Sequence, residues 1–175
     1  MPAVSSILSE ITDMDRIISE LLNFARPTVL NTLVIDLNKL INETSSSVAG
    51  NNESVRLSLK NDGELLINAD EVLMRQALNN LFMNAVESMP DGGDLEIDSR
   101  PAGEMAVLLI KDTGEGVPEG LRDKIFLPFY TTKEKGVGLG LALVQKIIIS
   151  HGGSIDVQSR EGEGTTFIIN LPIAS

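Results

Sequence analysis

Gly136-Val137-Gly138-Leu139-Gly140-Leu141 stands about twenty residues after a second glycine-rich turn, Asp112-Thr113-Gly114-Glu115-Gly116, and together the two turns carry most of what the chain says about its fold. One such turn alone says little, because glycine turns serve many purposes. Here the uninterrupted apolar run Ala106–Ile110 leads into Asp112 as a central strand would. The later turn opens an apolar helix expected from about Gly138 to Ser150. Glycines let backbone approach phosphates, and a helix N-terminus adds unpaired N–H groups and a positive dipole end. An aspartate at a strand end, followed by a phosphate-suited turn, describes a nucleotide pocket. Two asparagines one helical turn apart, Asn80 and Asn84, complete the pattern.

Outward from these turns the chain alternates helices and strands. A short strand at Val34–Ile35 precedes Asp36, a suitable N-cap for a helix to about Val48. Ser54–Lys60 and Glu64–Asn68 read as a hairpin around Asn61-Asp62-Gly63. Asp70 caps a helix through Met89, with Met74, Leu78, Leu81, Ala85 and Met89 as its buried stripe. Leu95–Arg100 alternates apolar and charged residues, and Ser154–Arg160 and Thr165–Leu171 are the last two strands. The sum is an α/β (α+β) two-layer sandwich: a mixed, mostly antiparallel sheet with helices on one face. Before it, Val4, Ile7, Ile11, Met14, Ile18, Leu21 and Ala25 form a heptad seam on one long helix that Pro27 stops. That helix either packs on its own domain or is half of a hairpin or homodimer built through residues 4–25. The expected division is therefore 1–28 and 29–175.

Composition excludes several classes. The 14 Lys and Arg face 25 Asp and Glu, a net charge of −11 that argues against nucleic-acid binding. An anionic ligand remains allowed, since backbone N–H groups and a metal supply positive charge. Aromatic residues are 3% and Trp is absent, so base-stacking platforms are not expected. With no cysteine there are no disulfides or thiolate metal sites, which suits the cytoplasm. No apolar run nears the roughly 20 residues of a membrane span, so no direct membrane contact is expected.

The spacing permits specific chemistry. An anionic Asp112 at the mouth of a cavity suits an exocyclic amino group such as adenine N6, although in isolation it would read as a surface-turn residue. Asn80 and Asn84 share a helix face off the apolar stripe. Amide oxygens are reasonable ligands for a Mg²⁺ that takes phosphate oxygens for the rest, with Glu87 nearby as an outer carboxylate. Lys133 and Lys135 precede the second turn as phosphate partners. The stretch Val117–Lys135, with Phe126-Leu127-Pro128-Phe129, has the length and apolar anchors of a closing lid. No GxxxxGK[ST] is present, so this is not a P-loop. His151, the only histidine, reads as structural at a helix exit.

These motifs resemble those of sensor histidine kinases. Asn80-Leu81-Phe82-Met83-Asn84-Ala85 is similar to their N box and Asp112–Gly116 to the G1 box. Phe126–Phe129 is similar to the F box and Gly136–Leu141 to the G2 box. His151-Gly152-Gly153 and Gly164-Thr165-Thr166-Phe167 fall in the same order. The resemblance covers about residues 32–173 and implies the Bergerat-type ATP-binding fold of the GHKL superfamily, with ATP and Mg²⁺ as cofactors. By motif position, Asp112 would contact adenine, Asn84 would ligate Mg²⁺ with Asn80 beside it, and Thr166 or Thr165 would line the base pocket. Gly114, Gly116, Gly136, Gly138 and Gly140, with Leu139 and Leu141, would shape the hinges and phosphate contacts. Leu21–Pro27 resembles the end of a dimerisation helix. The resemblance further implies transfer of the γ-phosphoryl group to a histidine on the parent's dimerisation hairpin, then to a response-regulator aspartate. That acceptor histidine is absent here and belongs upstream. Related water-splitting ATPases carry a glutamate where Asn80 stands, and an amide cannot take a proton from water. An anti-sigma-type serine kinase and a nucleotide-gated, non-catalytic adaptor are the alternatives.

Overall fold

The structure is a computed structural model that describes residues 29–50, 52, 54–61, 63–133 and 136–174, with scattered helical positions between Met14 and Ala25. The order is β1 (Leu33–Asp36), α1 (Leu37–Ala49), β2 (Val55–Lys60), β3 (Leu66–Ala69), α2 (Glu71–Glu87), β4 (Gly93–Ala102) and β5 (Met105–Asp112). A 3-10 turn (Glu119–Lys124), α3 (Gly140–Ser150), β6 (Ser154–Arg160) and β7 (Gly164–Pro172) follow. Five strands form one sheet in the order β2-β4-β5-β7-β6, parallel only between β2 and β4. Alternation along the strands sends one set of side chains inward, among them Leu95, Ile97, Leu108, Ile110, Phe167 and Ile169. They meet Leu37 and Ile41 of α1, the Met74–Leu78–Leu81–Ala85 stripe of α2, and Val144 and Ile147 of α3 in one core. Burying each large side chain contributes roughly 1.5–3 kcal/mol, and this face holds the layers together. The two-layer, mostly antiparallel architecture is as the sequence indicates.

The expected hairpin of Ser54–Lys60 with Glu64–Asn68 does not form. β2 pairs in parallel with β4, whereas β3 pairs antiparallel with β1 in a separate two-stranded ribbon. The cause lies in the start of α1. The Asp36 carboxylate accepts from Asn38 N–H at 3.0 Å, capping the helix, and from Leu65 N–H at 3.2 Å. Asn38 Nδ2 donates to Gly63 O at 2.9 Å, and its Oδ1 accepts from the buried Ser99 hydroxyl at 2.6 Å. These side chains draw the turn onto β1 and α1 rather than onto β2.

His151 joins the ends of two helices. Its Nε2 accepts from Asp70 N–H at 2.9 Å, at the start of α2. That fixes the tautomer, so Nδ1–H donates to Ile147 O at 2.8 Å. Removing the ring would leave a part-buried N–H unpaired, at about 1–3 kcal/mol. His151→Ala is therefore expected to lower the urea midpoint by an amount corresponding to about 2 kcal/mol, with the slope unchanged.

Described positions of the lead-in segment, including Met14, Ile18 and Leu21 of the heptad seam, are helical and, apart from half-buried Phe24, exposed. Phe24 is held at its carbonyl by Lys146 Nζ (2.7 Å), which also lies 5.5 Å from its ring. Val4, Ile7, Ile11 and Pro27 lie outside the described residues, as does Lys135.

Candidate functional site

Helix α2, the end of β5, β7, the turn before α3 and the 117–133 stretch surround a cavity of about 920 Å³. That is the size of a small-molecule site. At one end stands Asp112, only 3% exposed. Strand pairing sets it between Leu95 of β4 and Thr165 of β7. Its Oδ1 accepts from Gly114 N–H at 2.9 Å and Thr165 N–H at 3.2 Å. Ser88 Oγ stands 3.2 Å from the same oxygen and 2.8 Å from Ala85 O, with one proton for two acceptors. Among the described residues none donates to Oδ2, which leaves that oxygen for a ligand. Burial pushes the Asp112 carboxyl above the usual carboxylate range, and bonds from Gly114, Thr165 and Ser88 partly oppose the shift.

The first glycine turn is shaped by close approach. A Cβ on Gly114 would lie 2.1 Å from Ser88 Oγ, and one on Gly116 would lie 2.0 Å from Arg160 O. Gly114 thus seats the turn on the end of α2 without itself lining the cavity, whereas Gly116 lines it. Of the two threonines, Thr165 is buried in the wall. Thr166 has the opposite parity on β7 and does not line the cavity.

The other end is suited to phosphates. Leu139 is buried and precedes α3 without a side-chain cap, so the first N–H groups of that helix have no side-chain acceptor. Gly136, Gly138, Leu139, Gly140 and Leu141 all line the cavity. Gly140 lets the turn approach α2, since a Cβ there would meet Asn80 Oδ1 at 3.1 Å. Asn80 Nδ2 donates to Gln76 O at 3.0 Å, one turn back. Lys133 Nζ donates to Asn84 Oδ1 at 2.9 Å and also to Glu87 Oε2. An amide oxygen and a carboxylate already gathered around an ammonium are hard donors that fit Mg²⁺. Among the described residues no group of three or more His, Cys, Asp or Glu could hold a metal, so such an ion would complete its shell with phosphate oxygens.

In the 117–133 stretch, Ile125 is buried and Phe126 meets Phe167 edge-on at 6.3 Å. Leu127, Pro128 and Phe129 are exposed, so of the expected apolar anchors at 126–129 only Phe126 is seated. Ser88 and Ser159 were not expected. Ser88 lies four residues beyond Asn84 on the Asn80 face, a spacing that reveals it. Ser159 occupies an inward position of β6, accepts from Val117 N–H at 2.7 Å, and ties the stretch to the β6–β7 hairpin.

Residues 69–175 match the family model described as histidine kinase-, DNA gyrase B-, and HSP90-like ATPase. Sensor histidine kinase ZraS of Escherichia coli K12 is 37% identical over 163 residues, 91% of this chain and 35% of the relative. Sporulation kinase C of Bacillus subtilis 168 is 34% identical over 173 residues, 97% of this chain and 40% of the relative. The chain therefore spans between about a third and two-fifths of the length of these curated relatives. Among solved structures, the nucleotide-free catalytic domain of histidine kinase ThkA is similar with a TM-score of 0.74 and 34% identity, covering 81% of this chain and 95% of that one. ThkA in complex with response regulator TrrA gives a TM-score of 0.82 and 30% identity, covering 98% of this chain and 51% of that one.

Proposed function

Because the chain belongs to the histidine kinase-, DNA gyrase B-, and HSP90-like ATPase family, we propose that residues 29–175 are the catalytic, ATP-binding domain of a two-component sensor histidine kinase. Residues 1–28 would be the last helix of its dimerisation hairpin. The observation that carries the reading is Asp112, buried with Oδ1 occupied and Oδ2 left for the cavity. That oxygen would accept from adenine N6. The phosphates would lie against Gly136–Leu141 and the N–H groups opening α3. Asn84, with Asn80 and Glu87 beside it, would hold Mg²⁺. A bound Mg²⁺ would neutralise charge on the β- and γ-phosphates.

The reaction proposed is transfer to an imidazole. As the histidine nitrogen forms its bond to the γ-phosphorus, the bond to the β-bridging oxygen breaks and ADP leaves. The protein's part is positioning and charge stabilisation, which dominate phosphoryl transfer. Asn80 offers no base for water, and Glu87 would be engaged by a cation throughout, by Lys133 here and by Mg²⁺ when the metal nucleotide binds, so transfer is favoured over hydrolysis. His151 has both ring nitrogens committed and does not line the cavity. The acceptor histidine would lie elsewhere in the parent, with a response regulator as next carrier. No described helix is long and apolar enough to cross a membrane. A cytoplasmic domain of a parent that is itself soluble or membrane-anchored is the setting proposed.

Mixing the chain with γ-labelled Mg·ATP and a hairpin carrying the parent's acceptor is expected to give an acid-labile, alkali-stable phosphohistidine. Label on a serine of an unrelated partner would instead select the anti-sigma-type kinase. ATP binding with no transfer to any acceptor would select the adaptor.

A further inference from the structure

The loop before α3 is pinned at its tip by one ammonium group. Lys133 Nζ donates to Asn84 Oδ1 at 2.9 Å and to Glu87 Oε2, the oxygens that this end of the cavity offers to a cation. The base of the loop is narrow. Phe129 N–H donates to Gly138 O at 2.9 Å, and a Cβ on Gly138 would lie 2.6 Å from Tyr130 O. Both residues at this base are left-handed, Phe129 at φ 67° and Gly138 at φ 74°. That conformation is unfavourable for a bulky L-residue, and the Phe129 side chain is 62% exposed, so burial of the ring does little to offset it. Residues 130–133 and 136–137 thus adjoin a strained base, and this side of the cavity is held against α2 at Lys133.

We infer that Lys133 and a divalent cation are alternative occupants of one seat made by Asn84 and Glu87. The inference rests on the reading of the cavity as a Mg·ATP site and gives that site a device for exchanging cations. In a chain of net charge −11, an unpaired Glu87 at the phosphate end would repel a polyanion. The lysine compensates it until a metal nucleotide arrives. The clasp is suited to exchange, because the Lys133 and Glu87 side chains are 45% and 48% exposed. Exposed pairs of this kind are weak. A dication carries twice the charge and takes amide and carboxylate oxygens as ligands. It would use the same lone pairs, so the two cations exclude one another. Displacement frees the loop from α2 and makes the lysine available to phosphate oxygens.

The test uses Mn²⁺ alone as the probe, titrated into the nucleotide-free 175-residue chain. Lys133→Gln is expected to bind Mn²⁺ about three- to tenfold more tightly than the wild type, the range set by removing one competing charge from an exposed pair. Lys133→Arg, which keeps the charge, should stay at the wild-type value. Adding Glu87→Gln to Lys133→Gln should abolish the gain. Saturating Mn²⁺ should speed hydrogen exchange at residues 130–133 and 136–137 of the wild type, as Lys133→Gln should without metal. A Lys133→Gln chain that binds Mn²⁺ no better than wild type overturns the inference. ATP titrated into the same preparations separates the two readings. Wild type that fails to bind ATP overturns the pocket assignment itself, whereas ATP binding with unchanged Mn²⁺ affinity overturns the exchange alone.

Discussion

Asparagine at position 112 is expected to lower ATP affinity about ten- to a hundredfold while leaving the nucleotide-free fold at least as stable as before. Both effects follow from how the two carboxylate oxygens are used. Gly114 and Thr165 donate to Oδ1, and the amide oxygen of asparagine would take those bonds. Its NH₂ group would then replace Oδ2 and oppose the amino group of adenine, donor against donor. The bond to a charged acceptor that is lost contributes roughly 1.5–3 kcal/mol, which gives the stated range. The same NH₂ group suits a carbonyl such as guanine O6, so the preference for ATP over GTP should narrow or invert. Stability moves the other way because burial raises the Asp112 carboxyl above its usual value. An acid raised in the folded state binds its proton more tightly there than when unfolded. Its contribution to stability is present below the unfolded value and is lost as pH rises through the folded one. At neutral pH the charged group is therefore a cost that asparagine removes. For the wild type, ATP affinity should fall as pH drops through that raised value. The proton would settle on Oδ2 and turn the acceptor into a donor, so Asp112→Asn should lack this dependence. Calorimetric titration and urea unfolding on the same two proteins check all three outcomes.

Gly116→Ala is expected to be the most damaging small change in the site, costing roughly 2–5 kcal/mol of a typical 5–15. Two faults coincide at this position. Its φ is 71°, and an added Cβ would lie 2.0 Å from Arg160 O and 3.2 Å from Gly164 O. Those carbonyls belong to the β6–β7 hairpin, where Arg160 pairs with Gly164, so backbone rather than a flexible side chain would have to move. Gly162→Ala separates the two faults. Gly162 has φ 77° but nothing within 4 Å of a Cβ, so it should show the conformational cost alone, about 1–2 kcal/mol. Urea midpoints for the pair measure the difference. Equal losses would mean that the approach of Gly116 to Arg160 is not what the glycine serves.

Local periodicity carried most of the fold. The α2 stripe, the strands β5 and β7, and the caps at Asp36 and Asp70 all stand where the sequence pattern placed them. Pairing of β2 with β3 failed because Asn61-Asp62-Gly63 marks a turn without naming the edge that the next strand joins. That choice was made by Asp36 and Asn38, which reach residues more than twenty positions ahead. In the site, the glycine turns and the Asn80–Asn84 face were legible because each is a local pattern. The choice between Thr165 and Thr166 was decidable by parity with Phe167 and Ile169, both buried on the inward face. A serine at a helix end such as Ser88 reads as an exit unless its spacing of four from Asn84 is weighed. The Lys133 clasp could not be read at all, since its partners lie 49 and 46 residues away and nothing local points to them.

Whether Asp112 reads adenine is decided by titrating Mg·ATP and Mg·GTP side by side into the wild-type chain. ATP is expected to bind saturably and GTP at least about tenfold more weakly, the discrimination expected of one buried charged acceptor meeting a matched donor. Equal affinity for the two nucleotides would contradict it, because Asp112 Oδ2 could not then be reading the base.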